Sequence, residues 1–508
     1  MIFRRSSEGE VLKGPKTLFF IQIFSTLAFS VLYSTLILYM TKGLRINDDL
    51  SSSTTASFIA FNYTLHLLGG YFGGRLLAYR ELFILGMFWQ IIGCLLIAVP
   101  ETNFLYWGLA FFLSGTGLNV TCINCMVTQL FHAHDKRRES VFLWNYSGMN
   151  IGFLIGFTIS GYFQLNEGYT PLFILSACGN VIAALVALFN WKVLRDRDTH
   201  FSNRSQSSRW KFRLIGLGCI IVLILALRWL LQHASFSNDL IMIVGAIMVF
   251  VIAALAMRQT EIEWKKKLWA YLILALASFI FWTLYQMAPM ALTLFIQRNV
   301  NRMIFGHPIP PQWFGNINTI IIIIGGPLMA SGYTWLRKKG VNVNIPVQFT
   351  IALFLIGIGY VLLPFGIDMA DRHGLSSPTW VILCYVFQSL GELFTSPIGY
   401  AMIGQLVPTK LQGVLMGTWL MITGVAATLS NVFSKTALGA THLTNPLDTS
   451  ASFSHTFNIL GWGSIAGGVI LIFLIRFLHR LIQEKYAEKS MEAHPYNAPE
   501  DTPSDFEE

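Results

Sequence analysis

Runs of about 20 apolar residues recur along the whole chain, separated by short polar stretches. A helix of that length rises about 30 Å, the thickness of a bilayer's hydrocarbon core. In lipid every backbone N–H and C=O must be paired within the protein, so only helices and closed barrels span. Barrel strands would read as short alternating segments. These runs are continuous, so the chain is expected to be an all-α polytopic membrane protein. Composition agrees, with 54% hydrophobic and 12% charged residues against about 25% charged in a soluble domain.

Fourteen spans are expected: 17–41, 55–77, 82–100, 104–131, 140–164, 170–192, 212–232, 238–257, 268–297, 313–335, 345–367, 377–404, 411–440 and 456–483. Lys13, Lys16, Arg75, Arg80, Lys136, Arg137 and Arg138 fall in connections on one side. So do the 193–211 segment, Lys265–Lys266–Lys267 and Arg337–Lys338–Lys339. Basic residues stay in the cytoplasm, which predicts that both termini are cytoplasmic. The net charge of +9 therefore reflects topology, and nucleic acid is not an expected partner. The start, MIFRRSSEGEVLKGPK, is polar and basic, and the apolar run after it is too long for a signal peptide.

Of 26 acidic residues, Glu392 is the one deep inside an apolar run. An ionisable group at membrane depth is costly and marks a pathway or coupling site. Gln388, Ser389 and Ser396 stand three or four residues away and share its helix face. All six cysteines lie in apolar runs. Cys122 and Cys125 form a C-x-x-C without a second pair or a histidine, so small apolar packing is expected and no metal or cofactor. Gly148, Gly152 and Gly156 repeat every four residues and let a neighbouring helix approach closely.

The spans parse as six, two and six. Residues 1–16 precede a 17–192 bundle. Residues 193–267 hold basic linkers and an inserted pair, expected to be a packing or lipid-facing hairpin. A second bundle covers 268–483, and 484–508 is an acidic tail expected to be disordered. Two six-span halves are the layout of the major facilitator fold, with a site between the halves near the midplane.

Several stretches resemble the proton-dependent oligopeptide transporter family. NYTLHLLGGYFGGRLLAYR, GTGLNVTCIN and DKRRESVFLWNYSGMNIG are similar to its first-half motifs. FWTLYQMAPMALTLF, WFGNINTIIIIIGGP, GLSSPTWVILCYVFQSLGELF and LQGVLMGTWLMITG are similar to the second half. The resemblance covers residues 17–475, and the inserted pair agrees with the bacterial branch. It assigns Glu392 and Asn318 to the part of the pocket that holds a peptide's amino terminus, where a carboxylate pairs with an ammonium. It places Tyr63, Tyr146, Asn150, Tyr285 and Trp419 at pocket or near-pocket positions. The competing reading of each aromatic is helix packing or an interfacial belt.

The first span departs from the family. Where the family has E-x-x-E-R-F-x-Y-Y, this chain has Gln22, Ser25, Thr26, Leu27, Phe29 and Ser30 at the distinctive positions. The span 4 lysine is Val120, and the aspartate of the span 2–3 loop is Gly74. Two acids and two bases are gone together, so no unpaired buried charge is left behind. A pocket with one carboxylate and no fixed cation is expected to prefer amine-bearing ligands. Proton coupling then falls to Glu392, with His66 as a second candidate because its pKa range suits the task. A lone histidine in a span is otherwise a packing residue.

The resemblance thus implies a secondary transporter importing di- and tripeptides or peptide-like compounds, by proton symport and alternating access, in a bacterial inner membrane. The alternatives are a transporter of amines or other modified substrates with altered coupling, and a sensor that binds without transporting. No nucleophile–base pair, phosphate loop or metal-ligand set points to an enzyme.

Overall fold

The computed structural model describes residues 8–130, 137–166, 168–196, 199–304, 306–340, 343–408, 411–439 and 445–482. The tail expected to be disordered lies outside the described residues, as do Lys136 and residues 1–7.

The first bundle comprises α1 (Glu8–Leu38), α2 (Asp48–Phe72), α3 (Tyr79–Ile97), α4 (Thr102–Gln129), α5 (Arg137–Asn166) and α6 (Tyr169–Phe189). α1 starts earlier than expected, so residues 8–16 are helical rather than a polar lead-in. It ends in a π-helical turn, Tyr39–Gly43. Asn47 caps α2 by accepting from the Leu50 N–H at 2.8 Å, and Asp48 and Asp49 occupy the positive first turn.

The inserted pair is α7 (Gln206–Gln232) and α8 (Ala234–Met257), joined at His233. The second bundle holds α9 (Ile262–Tyr285), α10 (Thr293–Asn299), α11 (Pro311–Lys338), α12 (Ile345–Asp368), α13 (Pro378–Leu406), α14 (Gln412–Leu438) and α15 (Pro446–Ile482). α9 and α10 fill one expected span. A π-helical turn with Pro289 separates them, and Met290 there leaves helical geometry at φ −120°, ψ −111°. Beyond α10, β1 (Met303–Ile304) pairs antiparallel with β2 (His307–Pro308).

Eleven of these segments are apolar and long enough to cross a membrane unaided. The other three helices of the fourteen-rod array, α2, α5 and α13, have 25, 30 and 29 residues and are also long enough to span. They carry Tyr63, His66, Asn150 and Glu392.

Each bundle buries its own apolar core. In the first, Gly148, Gly152 and Gly156 of α5 press against Phe19, Ile23 and Ser30 of α1. The two bundles meet along α2–α14 and α5–α11, with α1 touching the α9–α10 turn. The inserted pair straddles them: α7 packs on α4, while α8 packs on α9, α14 and α2. Much of it faces outward, with Val222 66% and Phe250 74% exposed. Asn238 of α8 nevertheless donates to the Ser53 carbonyl at 3.1 Å and accepts from Ser57 at 3.2 Å. The hairpin is thus exposed on one side and bonded to α2 on the other.

Candidate functional site

Glu392 lies halfway along α13, whose start is fixed by Ser377 at the N-cap and Pro378 in the first turn. It is 8% exposed. Across the gap, Asn318 of α11 donates its Nδ2 to Glu392 Oε2 at 2.8 Å and to Ser389 Oγ at 3.1 Å. Ser389 in turn donates to the Tyr385 carbonyl at 2.6 Å. Tyr285 of α9 donates to Asn318 Oδ1 at 3.4 Å. Three helices of the second bundle thus converge on one carboxylate. A buried carboxylate needs donors, and Asn318 supplies one. Gln388, one turn before Glu392, is 1% exposed and its Oε1 has no partner. Ser396, one turn after it, is partly buried on the same face.

The first bundle contributes a residue that the sequence reading missed. Tyr33 donates to Gln286 Oε1 of the second bundle at 3.2 Å and lies within electrostatic reach of Glu392, Tyr63 and Tyr385. Both family tyrosines of the first span are absent, as expected, but Tyr33 stands one turn further on. The signal was present: Gln22, Thr26, Phe29 and Tyr33 recur at spacings of four, three and four, a single helix stripe. Aromatic rings back it, with Tyr33 stacked on Phe157 at 6.4 Å and edge-on to Phe153 at 6.3 Å.

The remaining expected residues are more dispersed. Tyr63 is half-buried and lies within reach of Tyr33. Asn150 is buried and donates to the Tyr146 carbonyl at 3.0 Å on its own helix, while Tyr146 is 37% exposed. Trp419 packs edge-on to Phe349 at 6.2 Å and closes over Gly399 of α13, about two turns from Glu392. Its described contacts are those of a packing residue. His66 is buried with Nδ1 3.3 Å from the Tyr63 carbonyl oxygen, and its own carbonyl accepts from Thr121 of α4 at 2.7 Å. Cys122 is buried and Cys125 partly so, both free.

At the end away from the termini the bundles are tied by polar contacts. Arg298 of α10 holds Asp48 of α2 with two bonds of 2.7 and 2.9 Å. Trp313 and Asn316 of α11 each donate at 3.0 Å to the carbonyl and hydroxyl of Thr158 in α5. Asn431 of α14 donates to Ser53 of α2 at 3.3 Å.

At the opposite end an acid from a distant segment meets the start of α3. Asp196, in the segment after α6, accepts the Tyr79 N–H with both oxygens at 3.0 and 2.9 Å, capping α3. Burial pushes its carboxyl pKa up. Arg80 lies over the Trp191 ring and donates to its carbonyl at 2.6 Å. Arg213 of α7 grips Glu81 of α3 at 2.5 and 3.0 Å.

Residues 80–447 match the POT family. The chain is 26% identical over 495 residues to dipeptide and tripeptide permease B of Yersinia enterocolitica, covering 96% of this chain and 99% of the relative. It is 28% identical to dipeptide and tripeptide permease A of Chromobacterium violaceum, covering 95% and 97%. Its fold is similar to that of a crystallised peptide transporter POT in complex with sulfate, with TM-score 0.81, 22% identity and coverage of 92% and 95%. A POT family transporter in complex with 5-aminolevulinic acid is similar at TM-score 0.79, 22% identity, 92% and 96%.

Proposed function

The chain belongs to the POT family, and from that premise we propose that it is a secondary transporter of small peptides or peptide-like compounds. The observation that carries this reading is the 2.8 Å contact between Asn318 and Glu392, a lone carboxylate in the bilayer within electrostatic range of Tyr33 of the other bundle. An ammonium is the natural partner of such a carboxylate. The names of the curated relatives, which are dipeptide and tripeptide permeases, support peptides as the substrate class.

Transport proceeds by rocking of the two bundles about this central site. The basic residues gathered at the termini end support a cytoplasmic location for both termini, and the bacterial relatives support an inner membrane. The Asp48–Arg298 and Thr158–Trp313 ties then close the outer end. Glu392 is assigned the coupling proton, and symport requires that this proton and the substrate be bound together during the inward step.

The test is uptake by the purified protein in liposomes under an imposed proton gradient. Substrate-driven acidification of the lumen in wild type, lost in Glu392→Gln, is the expected result. Uptake that persists unchanged in Glu392→Gln without a gradient overturns the coupling assignment. Saturable binding without flux in wild type favours a sensor instead.

A further inference from the structure

The α1–α5 wall of the first bundle is neutral around Gln22, and its hydrogen bonds leave an acceptor spare. Gln22 Nε2 donates to Thr26 Oγ1 at 3.0 Å, and Gln22 Oε1 accepts from Asn145 Nδ2 of α5 at 3.2 Å. Gln22, Thr26 and Asn145 are 4%, 7% and 4% exposed. Asn145 Oδ1 has no hydrogen-bond partner, and neither has Gln388 Oε1 beside Glu392. Both are carbonyl acceptors sealed from solvent in this conformation, and leaving such a group unpaired is costly.

Position along α1 connects this wall to the carboxylate. Gln22 and Thr26 lie on the same stripe as Tyr33, which is within electrostatic range of Glu392. Thr26 is seven residues from Tyr33, about 10 Å of helix rise. That is about the length of three extended residues.

Charge is distributed on one side only. Residues 17–41, 48–72, 102–129, 141–166, 268–297, 311–336, 378–406 and 412–434 contain no lysine or arginine. These stretches form the helices that meet across the two bundles or line their interior. Apart from Asp48 and Asp49 in the first turn of α2, their sole acid is Glu392. A ligand carboxylate entering here would shed water without meeting a cation and would add a second negative charge to the cavity. Desolvation alone costs several kcal/mol per ion.

We infer that this site prefers a monocation with an ammonium at one end and an uncharged, hydrogen-bonding group at the other, such as an amidated peptide, over the zwitterion with a free carboxylate. Gln22 and Asn145 read the uncharged end. The inference rests on the reading of Glu392 as the ammonium site.

The experiment compares L-trialanine amide with L-trialanine on the full-length protein in nanodiscs by calorimetry. It is run at pH 6, where both amino groups are protonated. At least tenfold tighter binding of the amide is expected, with the ratio reduced in Asn145→Leu. Equal or tighter binding of trialanine to wild type overturns the inference, whether or not the Asn145 variant folds. If both compounds bind equally and both are lost in Glu392→Gln, the ammonium site stands and the preference falls. If neither binds, both readings fall together.

Discussion

Arg298 clasps Asp48 with two guanidinium nitrogens, at 2.7 and 2.9 Å, joining the last turn of α10 to the first turn of α2. The two side chains are 14% and 17% exposed, so water screens the pair only partly. Charge-assisted bonds of this kind contribute about 1.5–3 kcal/mol. Asp48→Asn is expected to shift the population of conformers by tenfold or more toward the form open at that end. Thiol labelling of a cysteine placed at position 158 should accelerate accordingly. The reversed pair, Asp48→Arg with Arg298→Asp, should restore slow labelling; continued fast labelling would show that the pair does not gate.

Tyr33 is the direct tie between the first bundle and the residue next to Tyr285. Removing its hydroxyl in Tyr33→Phe deletes the 3.2 Å bond to Gln286 and leaves the ring packing intact. A neutral hydrogen bond is worth about 0.5–1.5 kcal/mol, so loss of this tie should lower the melting temperature, and a weaker substrate affinity beyond that reports a contact of the hydroxyl with ligand. An unchanged dissociation constant would place Tyr33 outside the binding surface.

His66 and Glu392 are separable. His66 is buried on α2 with Nδ1 turned to the Tyr63 carbonyl of its own helix. His66→Gln is expected to retain substrate-driven acidification in liposomes. Loss of acidification with uptake preserved would make the histidine a coupling residue.

The cap formed by Asp196 carries a pH dependence. Burial raises its pKa in the folded protein, so ionisation costs more folded than unfolded. Its contribution to stability is full below the unfolded carboxyl pKa and declines as pH rises through the raised value. Asp196→Ala removes the acceptor of the Tyr79 N–H and should cost about 0.5–2 kcal/mol. Asp196→Asn keeps an acceptor, so its stability relative to wild type should improve with pH across that window. Melting curves at several pH values in detergent check this, and a constant difference would refute it.

The α1–α5 seam tolerates no side chain at Gly156, where a Cβ would overlap Ser30 Oγ. Gly156→Leu should destabilise the protein by about 1–3 kcal/mol through overpacking, read as a lower melting temperature. Gly218, with open space around it, should accept leucine with little change.

The number of spans, their order and the isolation of Glu392 were legible in the chain because membrane depth imposes length and apolarity on local sequence. The four-residue glycine repeat of α5 likewise marked a close helix seam. Neighbours across the gap were less legible, because α1, α5, α11 and α13 meet through packing that no short pattern encodes. Asn318 was named beside Glu392 through family resemblance, and the structure brings them to 2.8 Å. Trp419 carries the same family assignment, and its described contacts are with Gly399 and Phe349. Tyr33, Asn145 and Asp196 went unnamed because each acts on a partner more than 100 residues away: Gln286, Gln22 and Tyr79. The sequence by itself determined a two-bundle membrane protein with one carboxylate at depth, since hydrophobic length and charge are local properties. Which neutral groups bond that carboxylate, and that Asp196 caps α3, only the tertiary structure decided, because hydrogen bonds depend on where distant helices come to rest.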